Sequence, residues 1–297
     1  MKHRVAAIGT FDGVHRGHRS VLGALTDYAR ENDLEPLAIT FDRHPLALID
    51  SKRRPLELTP LWKKKRLLNE VGASVKILGF DEELRRTTAK EWMKKLHDEY
   101  GVRAMVIGYD NTFGSDGINL SLEDYKRMGE EEDIVVLSAD EIKGVSSSAI
   151  RKAVVNGEME KARDMLGRPY SITAKVVRGN GVGHTIGFPT ANIDLPEGVA
   201  IPKPGVYAAI VKTLDSGRKH PAMVNVGSRP TVMRGDDTVI ESHLINWEED
   251  LYGKDITVRF MKRIRDEMKF DSIEALRQQL EMDRKVISSY LQEEIMK

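Results

Sequence analysis

Hydrophobic and polar residues follow two different periodicities in the two halves of this chain. Up to about residue 166, short apolar runs are separated by segments whose apolar positions recur every three or four residues, which is the spacing of one helix face. The runs predict strands over residues 5–9, 36–41, 75–79, 104–108 and 134–137, and the periodic segments predict helices over residues 18–31, 60–71, 88–99, 122–128 and 147–156. Strands and helices in alternation predict a doubly wound α/β domain with a parallel sheet.

After Gly167-Arg168-Pro169 the pattern changes to short β-rich runs that Gly, Pro and Asn clusters separate. The runs cover residues 171–177, 205–213, 222–226, 239–244 and 256–260, and they predict a small antiparallel β-barrel. A C-terminal helix is predicted next, with Asp271 as its N-cap and Glu274 three positions later. Its apolar stripe, expected to pack on the barrel, is Ile273, Leu276, Leu280, Ile287 and Leu291. The sequence thus predicts two domains, residues 1–167 and 168–297.

Composition narrows the class of protein. The 297 residues suffice for two domains. The 46 basic residues balance 46 acidic ones, whereas proteins that bind nucleic acid usually have an excess or a cluster of basic residues. The charge balance therefore argues against a nucleic-acid partner. There is no cysteine, and therefore neither a disulfide framework nor a thiolate metal site is expected. No apolar stretch has the length of a signal peptide or a membrane span. We expect a cytoplasmic protein with no membrane partner, and the sequence leaves its oligomeric state open.

The most informative segment joins the first predicted strand to the first predicted helix. It reads Gly9-Thr10-Phe11-Asp12-Gly13-Val14-His15-Arg16-Gly17-His18. Glycines allow the backbone to approach an anion, a helix N-terminus supplies free N–H groups, and imidazoles add donors for phosphate oxygens or a leaving pyrophosphate. The segment favours a nucleotide site over a plain glycine-rich turn with solvated histidines. A metal site on the two histidines is disfavoured, because no third ligand lies nearby in the sequence.

A second glycine-rich segment lies in the predicted barrel. Glycines at positions 179, 181 and 183 lead to Gly187-Phe188-Pro189-Thr190-Ala191-Asn192, where a hydroxyl and an amide could serve Mg²⁺ and phosphates. Barrel loops are often rich in Gly and Thr, so this segment alone does not identify a nucleotide site. Glu241 follows the strand-like residues 238–240, and a carboxylate there could accept a proton from a substrate hydroxyl. Spacing alone favours the other interpretation, an outward-facing position on an alternating strand.

One basic run remains without a functional interpretation. Lys63-Lys64-Lys65-Arg66 lies within the helix predicted over residues 60–71. Lysine and arginine are mostly exposed in globular proteins. We therefore predict that this run lies on the exposed side of the helix.

Motifs along nearly the whole chain together resemble the bacterial bifunctional riboflavin kinase/FAD synthetase family. They are residues 9–18, 41–45, 108–114 and 145–151 in the first domain, and residues 187–192, 225–231, 241–244, 250–253 and 265–272 in the second. No single motif is specific for this family, but the occurrence of all of them in this order is specific for it. The resemblance implies a Rossmann-like nucleotidyltransferase domain followed by a β-barrel kinase domain. It also implies the small-molecule substrates riboflavin, FMN and ATP, with Mg²⁺.

For the first domain, the resemblance implies transfer of AMP from ATP to FMN, which gives FAD and pyrophosphate. The groups that neutralise phosphate charge would be His15, His18 and Arg151. Further nucleotide contacts would come from Gly9, Phe11, Asp12, Gly13, Gly17 and Ser147, and flavin contacts from His44, Asp110 and Phe113. The serines at 146–148 also suit a helix N-cap, a role compatible with phosphate binding. Such a reaction needs alignment and charge neutralisation and no protein nucleophile.

For the second domain, the resemblance implies phosphorylation of riboflavin by ATP and Mg²⁺. Thr190 and Asn192 would hold the metal and phosphates, and Glu241 would take the hydroxyl proton. Gly183, Gly187 and Pro189 would complete the nucleotide site. Arg265 would lie over the flavin–nucleotide site, the alternative being an ion pair with the neighbouring Asp266 or Glu267.

Three departures from the family pattern leave narrower functions open. His184 stands where an arginine is usual, Asn111 where an aromatic residue is usual, and Ser115-Asp116 where basic residues are common. The alternatives are a riboflavin kinase alone and a flavin-responsive regulatory module without catalysis. The intact histidines, Thr190 and Glu241 favour both activities, since binding alone needs no base.

Overall fold

The computed structural model describes residues 2–49, 54–109, 112–179, 182–231 and 235–295. It divides into two compact units, Met1–Ala149 and Ile150–Lys297. Residues 150–167 therefore group with the second unit, and the functional boundary after Gly167 stays a prediction.

The first unit contains a five-stranded parallel sheet with the strand order β3-β2-β1-β4-β5, which confirms the predicted doubly wound fold. Its strands are β1 (Arg4–Ile8), β2 (Glu35–Phe41), β3 (Ser74–Leu78), β4 (Val102–Ile107) and β5 (Val135–Ser138). Its helices are α1 (Arg16–Glu31), α2 (Leu46–Ile49), α3 (Leu61–Glu70), α4 (Glu82–Arg86), α5 (Ala89–Tyr100) and α6 (Leu122–Glu131), with a 3-10 turn at Gly117–Asn119. Helix α7 (Ser147–Val155) follows and contains the division between the units.

Helices cover both faces of this sheet, so both faces are buried. Successive residues of a strand therefore pack against helices on opposite sides. Val5 packs with apolar residues of α1 and α3, whereas Ala6, the next residue of β1, packs with those of α5 and α6. The direction of strand order reverses between β1 and β4. The loops that leave the carboxyl ends of these two strands therefore border a crevice of the kind in which such sheets bind ligands.

The second unit is a closed antiparallel barrel with the order β10-β7-β6-β11-β8-β9, which confirms the predicted barrel. Its strands are β6 (Tyr170–Val177), β7 (Ala191–Ile193), β8 (Gly205–Thr213), β9 (Lys219–Thr231), β10 (Gly235–Leu244) and β11 (Asp255–Arg265). Helix α8 (Met159–Leu166) packs on β6 and β11, α9 (Val182–Thr185) is one turn long, and α10 (Ile273–Ile295) packs on β8 and β9. The sequence pattern missed α8 and β7, and β7 has only three residues in which alternation could appear.

The C-terminal helix begins differently from the prediction. Ser272, not Asp271, precedes its first residue, and the Ser272 hydroxyl accepts the N–H of Ala275 at 3.1 Å. Ile273 was assigned to the packed stripe but is 68% exposed, whereas Ile287 and Leu291 are buried against the barrel as predicted.

The prediction for the basic run is wrong for two of its four residues. Lys63 and Lys64 are buried, with 6% and 9% exposure, and Lys65 and Arg66 are exposed.

Over the described ranges, none of the helices combines the length and the apolar content that crossing a bilayer would require.

Candidate active sites

The turn after β1 has an unusual backbone. Phe11 and Val14 have positive φ angles of 46° and 38°, and Gly13 has a φ of 85°. Left-handed geometry costs a residue other than glycine about 1–3 kcal/mol and is found mainly at functional sites. His15 is the N-cap of α1, because its Nδ1 accepts the N–H of His18 at 3.3 Å. A neutral His15 ring that accepts at Nδ1 carries its proton on Nε2, which is thus a donor.

The two imidazoles of this turn pack as one unit. The rings of His15 and His18 stack with their centroids 3.6 Å apart, and the edge of Phe11 contacts His18 at 5.2 Å between centroids. A Cβ at Gly17 would lie 3.2 Å from two atoms of the His15 ring, so the glycine permits the close approach. With only 5% of His15 exposed, the alternative of a turn with solvated histidines does not fit. The stacked pair lies at the N-terminus of α1, where the helix dipole favours anions.

The predicted nucleotide residue Asp12 holds the turn in place. Its carboxylate accepts the N–H groups of Leu58 and Thr59 at 3.0–3.1 Å, in the segment just before α3. Its carbonyl oxygen accepts the Ser147 hydroxyl at 2.8 Å. The histidine turn and the serine motif, far apart in sequence, are thereby brought together.

The N-cap interpretation of the serine motif applies to Ser146, whose hydroxyl accepts the N–H of Ala149 at 3.1 Å. Arg151 follows Ser147 by one turn of α7 and is half-buried. At the other end of the histidine turn, the Gly9 N–H donates to the carbonyl of Ile39 at 3.1 Å and ties the start of the turn to β2.

The residues predicted to contact the flavin in the first unit do not share one cavity. Phe113 lines a cavity of about 220 Å³ together with Gly9, Phe41 and Trp92, and it packs on Tyr125. His44 lines a smaller one of about 30 Å³, and its Nδ1 accepts the N–H of Leu46. Thr10 lines both cavities. Asp110 and Asn111 lie outside the described residues.

The departure at positions 115–116 has a structural explanation. The Ser115 hydroxyl donates to the carbonyl of Arg86, and the Asp116 carboxylate accepts the N–H of Ala89 at 2.8 Å. The Ser115 side chain therefore anchors the loop to the end of α4, and the Asp116 side chain anchors it to the start of α5. A basic residue could not replace Asp116 in this contact, since its side chain cannot accept from an N–H group.

In the barrel, three polar residues lie in a row across neighbouring strands. Glu241 of β10 is directly opposite Asn192 of β7 on one side and opposite Asn225 of β9 on the other. Directly opposed residues of antiparallel strands share a face of the sheet. Pairing of the consecutive strands β9 and β10 brings Asn225 beside Glu241, and pairing of β10 with β7 brings in Asn192 from a distant part of the sequence.

Glu241 and Asn225 line a cavity of about 340 Å³, together with Thr190 and Arg265. The remaining walls are largely apolar and include Phe188, Met223, Phe270, Leu276 and Leu280. We call this space the acidic cavity. Glu241 is half-buried and lines this cavity, so it does not lie on a fully solvated face of the strand.

A neighbouring cavity of about 400 Å³ is lined by Thr190, His184, Ser242, Trp247 and Tyr252, among others. We call this space the aromatic cavity. Because β10 alternates, Glu241 lines the first cavity and Ser242 lines the second, while Thr190 lines both. The hydroxyl of Ser242 is fully buried and has no hydrogen-bond partner among the described residues. Beyond their place in the motifs, no sequence pattern marks Ser242 or Asn225 as functional.

Glycines let the predicted phosphate residues pack closely. A Cβ at Gly179 would lie 2.5 Å from Cγ of Asn192, so the amide of Asn192 rests directly on the glycine backbone. A Cβ at Gly183 would overlap the carbonyl of Phe188 and lie 3.5 Å from the Thr190 hydroxyl. Gly187 has a φ of 81°, a conformation that favours glycine.

His243 supports this loop from β10. It is 7% exposed, and its Nδ1 lies 2.9 Å from the carbonyl oxygen of Pro189. In the tautomer that carries the proton on Nδ1, the ring donates a hydrogen bond to this oxygen. Burial lowers the pKa of His243 and nearby Arg284 lowers it further, although the bond to Pro189 acts in the opposite direction. His243 is therefore neutral near neutral pH, and it fixes the residue that precedes Thr190.

Arg265 lines the acidic cavity, but its ion pair is not the one considered from the sequence. Its guanidinium pairs with the carboxylate of Asp283 in α10 at 2.7 Å. From Asp266 it binds the main-chain carbonyl oxygen and not the carboxylate. Asp283 is 3% exposed within the apolar stripe of α10, a position at which the sequence pattern marked no functional residue.

Two family models match the chain, FAD synthetase over residues 1–151 and riboflavin kinase over residues 166–291. The bifunctional riboflavin kinase/FMN adenylyltransferase of Escherichia coli (strain K12) is 37% identical over 288 residues, 94% of this chain and 90% of that protein. The protein of the same name from Bacillus subtilis (strain 168) is 34% identical over 296 residues, which cover 96% of this chain and 92% of that protein. A crystal structure described as a macrolide-efflux protein from Streptococcus pneumoniae has 30% identity and a TM-score of 0.87, covering 97% of this chain and 94% of that one.

Proposed function

Because the chain belongs to the family of bifunctional riboflavin kinase/FMN adenylyltransferases, we propose that the histidine turn and the two barrel cavities are parts of its two active sites. The enzyme makes FAD in two steps. It phosphorylates riboflavin with ATP to give FMN, and it then transfers AMP from a second ATP to FMN and releases pyrophosphate. In this proposal residues 1–167 carry the adenylyl transfer and residues 168–297 carry the kinase reaction.

Riboflavin binds in the acidic cavity. Its apolar walls suit the flat ring system, and Glu241 is the polar group suited to receive a proton from the terminal hydroxyl of the sugar-like chain. Arg265 binds polar edges of the flavin. The position of Glu241 in a cavity, between Asn192 and Asn225 in the strand register, is the observation that carries this assignment.

ATP binds in the aromatic cavity. Trp247 and Tyr252 offer flat surfaces for the base, and the buried Ser242 hydroxyl offers a hydrogen bond. Because Thr190 lines both cavities, the phosphoryl group passes from one to the other beside its hydroxyl. Alignment of the two substrates supplies much of the catalysis in such a transfer.

Mg²⁺ is held with ATP by the Thr190 hydroxyl and the Asn192 amide oxygen. These oxygen donors fit the ion, which usually takes only one or two protein ligands and completes its shell with phosphates and water. The described residues contain no group of three His, Cys, Asp or Glu side chains that could hold a metal without substrate. When bound, the ion neutralises charge on the phosphates.

In the first unit, Nε2–H of His15 and the ring of His18 stabilise charge on the departing pyrophosphate. The Ser147 hydroxyl already donates to Asp12, so Ser147 contributes its main-chain N–H at the start of α7. Arg151 on the same helix supplies a fixed positive charge. The contacts of Gly9, Phe11, Asp12, Gly13 and Gly17 with the nucleotide, and of His44, Asp110 and Phe113 with the flavin, remain predictions from the family. The cytoplasmic location and the absence of a nucleic-acid partner remain predictions from the composition of the sequence.

Glu241→Gln tests the kinase assignment, because it keeps the shape of the side chain and removes the proton acceptor. We expect FMN formation to fall about 10²–10⁴-fold, the usual worth of a positioned base. Binding of riboflavin and ATP should survive, and FAD formation from supplied FMN should not change. Glu197→Gln, at an exposed position of the same unit, is the control. FMN formation at a nearly normal rate in the Glu241 variant would refute the assignment.

A further inference from the structure

Lys64 of α3 belongs to the basic run predicted to be exposed, yet the structure buries it at the ligand edge of the first sheet. Its Nζ donates to the carbonyl oxygen of Thr10 at 3.0 Å and to that of Phe41 at 3.2 Å. Phe41 is the last residue of β2, and Thr10 follows the end of the adjacent β1 by two positions. One ammonium group thus bridges the carboxyl ends of two neighbouring strands.

Both bridged positions lead directly into residues of the site. Thr10 precedes Phe11, whose ring contacts His18 of the histidine turn. Phe41 precedes the Asp42-Arg43-His44 segment. A change in the spacing of the two carbonyls would therefore displace the histidine turn relative to the His44 loop.

Carboxylates surround the ammonium group. Asp12, Asp42 and Glu57 line the same cavity of about 30 Å³ as Lys64, with Arg43 and His44 as the other charged or titratable groups. Burial lowers the pKa of Lys64, and attraction to Asp12, Glu57 and Asp42 offsets part of that effect. Arg43 pairs with Asp42 at 3.3 Å and Arg54 pairs with Glu57 at 2.6 Å, so both of these carboxylates also have a guanidinium partner.

We infer that Lys64 is a positioning residue for adenylyl transfer: its charged amine ties the ends of β1 and β2 together and so sets the histidine turn against the His44 loop. The inference rests on the proposed function of the first unit. A neutral side chain at this position leaves two main-chain carbonyls without this donor and removes one of the positive charges that Asp12, Glu57 and Asp42 face. Phosphate chemistry responds to such changes, because a displacement of about 1 Å can cost roughly 10²-fold in rate.

The first experiment compares Lys64→Met with Lys65→Met, which changes the exposed next residue in the same way. FAD formation from FMN and ATP and FMN formation from riboflavin and ATP are measured on the same samples. We expect Lys64→Met to lower kcat for FAD formation by roughly 10²-fold, with smaller changes in KM. The kinase rate should be normal in both variants, and FAD formation should be normal in Lys65→Met.

A rescue experiment separates the charged amine from mere packing. The chain has no cysteine, so Lys64→Cys introduces a single thiol. Alkylation in urea with 2-bromoethylamine, followed by refolding, restores an amine at nearly the length of lysine, whereas iodoacetamide adds a neutral group of similar length. The wild-type chain taken through the same cycle is the control. The kinase rate reports refolding of the second unit, and limited proteolysis of each adduct reports refolding of the first, which carries position 64. We expect the amine adduct to recover most of the lost FAD formation and the amide adduct to remain impaired.

Three results are distinguishable. Equal FAD kinetics in Lys64→Met and Lys65→Met would overturn the inference, and so would equal activity of the two adducts, which would indicate packing alone. If Lys64→Met fails to fold, the adducts still decide between charge and packing. A wild-type protein that forms FMN but no FAD would instead contradict the function proposed for the first unit.

Discussion

Arg265, at the end of β11, and Asp283, in the middle of α10, form a buried two-pronged ion pair. Nε of the guanidinium lies 3.1 Å from Oδ1 of the carboxylate, and Nη2 lies 2.7 Å from Oδ2. Gln279, one turn earlier on the helix, also donates to Oδ1 at 2.8 Å. Because Arg265 lines the acidic cavity, this pair both fixes α10 to the barrel and orients the guanidinium at the cavity wall.

Asp283→Ala should destabilise the second unit, because it leaves a largely buried guanidinium without its carboxylate. Loss of one partner of a buried pair costs roughly 3–5 kcal/mol, and we expect the lower end because the Arg265 side chain retains 18% exposure. The KM for riboflavin should rise as Arg265 loses its orientation. Thermal unfolding and kinase kinetics measure the two effects. Glu281→Ala, which breaks only the exposed pair with Arg277, should change stability by less than about 0.5 kcal/mol; equal effects of the two substitutions would contradict the expectation.

His18→Ala should impair adenylyl transfer alone. The expected loss of FAD formation is roughly 10²–10³-fold, the usual effect of removing one donor that stabilises transition-state charge. Riboflavin phosphorylation takes place in the other unit and should stay normal. His3→Ala, an exposed histidine near the N-terminus, provides the matched control. A parallel fall of both activities would point to a structural role for His18.

His243 should make the second unit sensitive to acid. Its folded-state pKa is lowered below the ordinary 6.5, because burial and the charge of Arg284 disfavour the protonated ring. The unfolded chain therefore binds a proton more readily, and the stability that His243 contributes is complete above about pH 6.5 and is lost as the pH falls towards the folded-state value. Unfolding midpoints of the wild type should fall between about pH 7 and pH 5 more steeply than those of His243→Asn. Parallel pH profiles would exclude His243 as the cause.

The two possible boundaries of the second unit predict different fragment stabilities. Met159, Ala162, Met165 and Leu166 of α8 are buried, and Arg163 pairs with Glu294 of α10 at 2.6 Å. A fragment of residues 168–297 loses this helix, whereas one of residues 150–297 keeps it. Burial of a large apolar side chain contributes roughly 1.5–3 kcal/mol, so the longer fragment should be more stable by at least about 3 kcal/mol. Denaturant unfolding of both fragments measures the difference, and coincident midpoints would show that α8 does not belong to this unit.

Local sequence patterns predicted most of the fold. Both halves took the architecture that their periodicity indicates, and the predicted strand over residues 205–213 coincides with β8. Such patterns work because a strand or helix must place its apolar residues on the face that packs, whatever the partner is. Among the missed elements, β7 has only three residues and is too short to show a period.

The sequence by itself also determined the candidate chemistry, since the motifs contain residue types that bind phosphate, bind a metal ion or accept a proton. It could not place them. Spacing favoured an outward-facing Glu241, and only closure of the barrel shows that this residue lies between two asparagines at a cavity. The same limit applies to Lys64. The prediction that it is exposed was wrong because its amine binds main-chain carbonyls of Thr10 and Phe41, which are distant from it in the sequence. Burial and electrostatic environment are sums over residues remote in sequence, and for that reason the tertiary structure alone decided which charged side chains face water and which face a site.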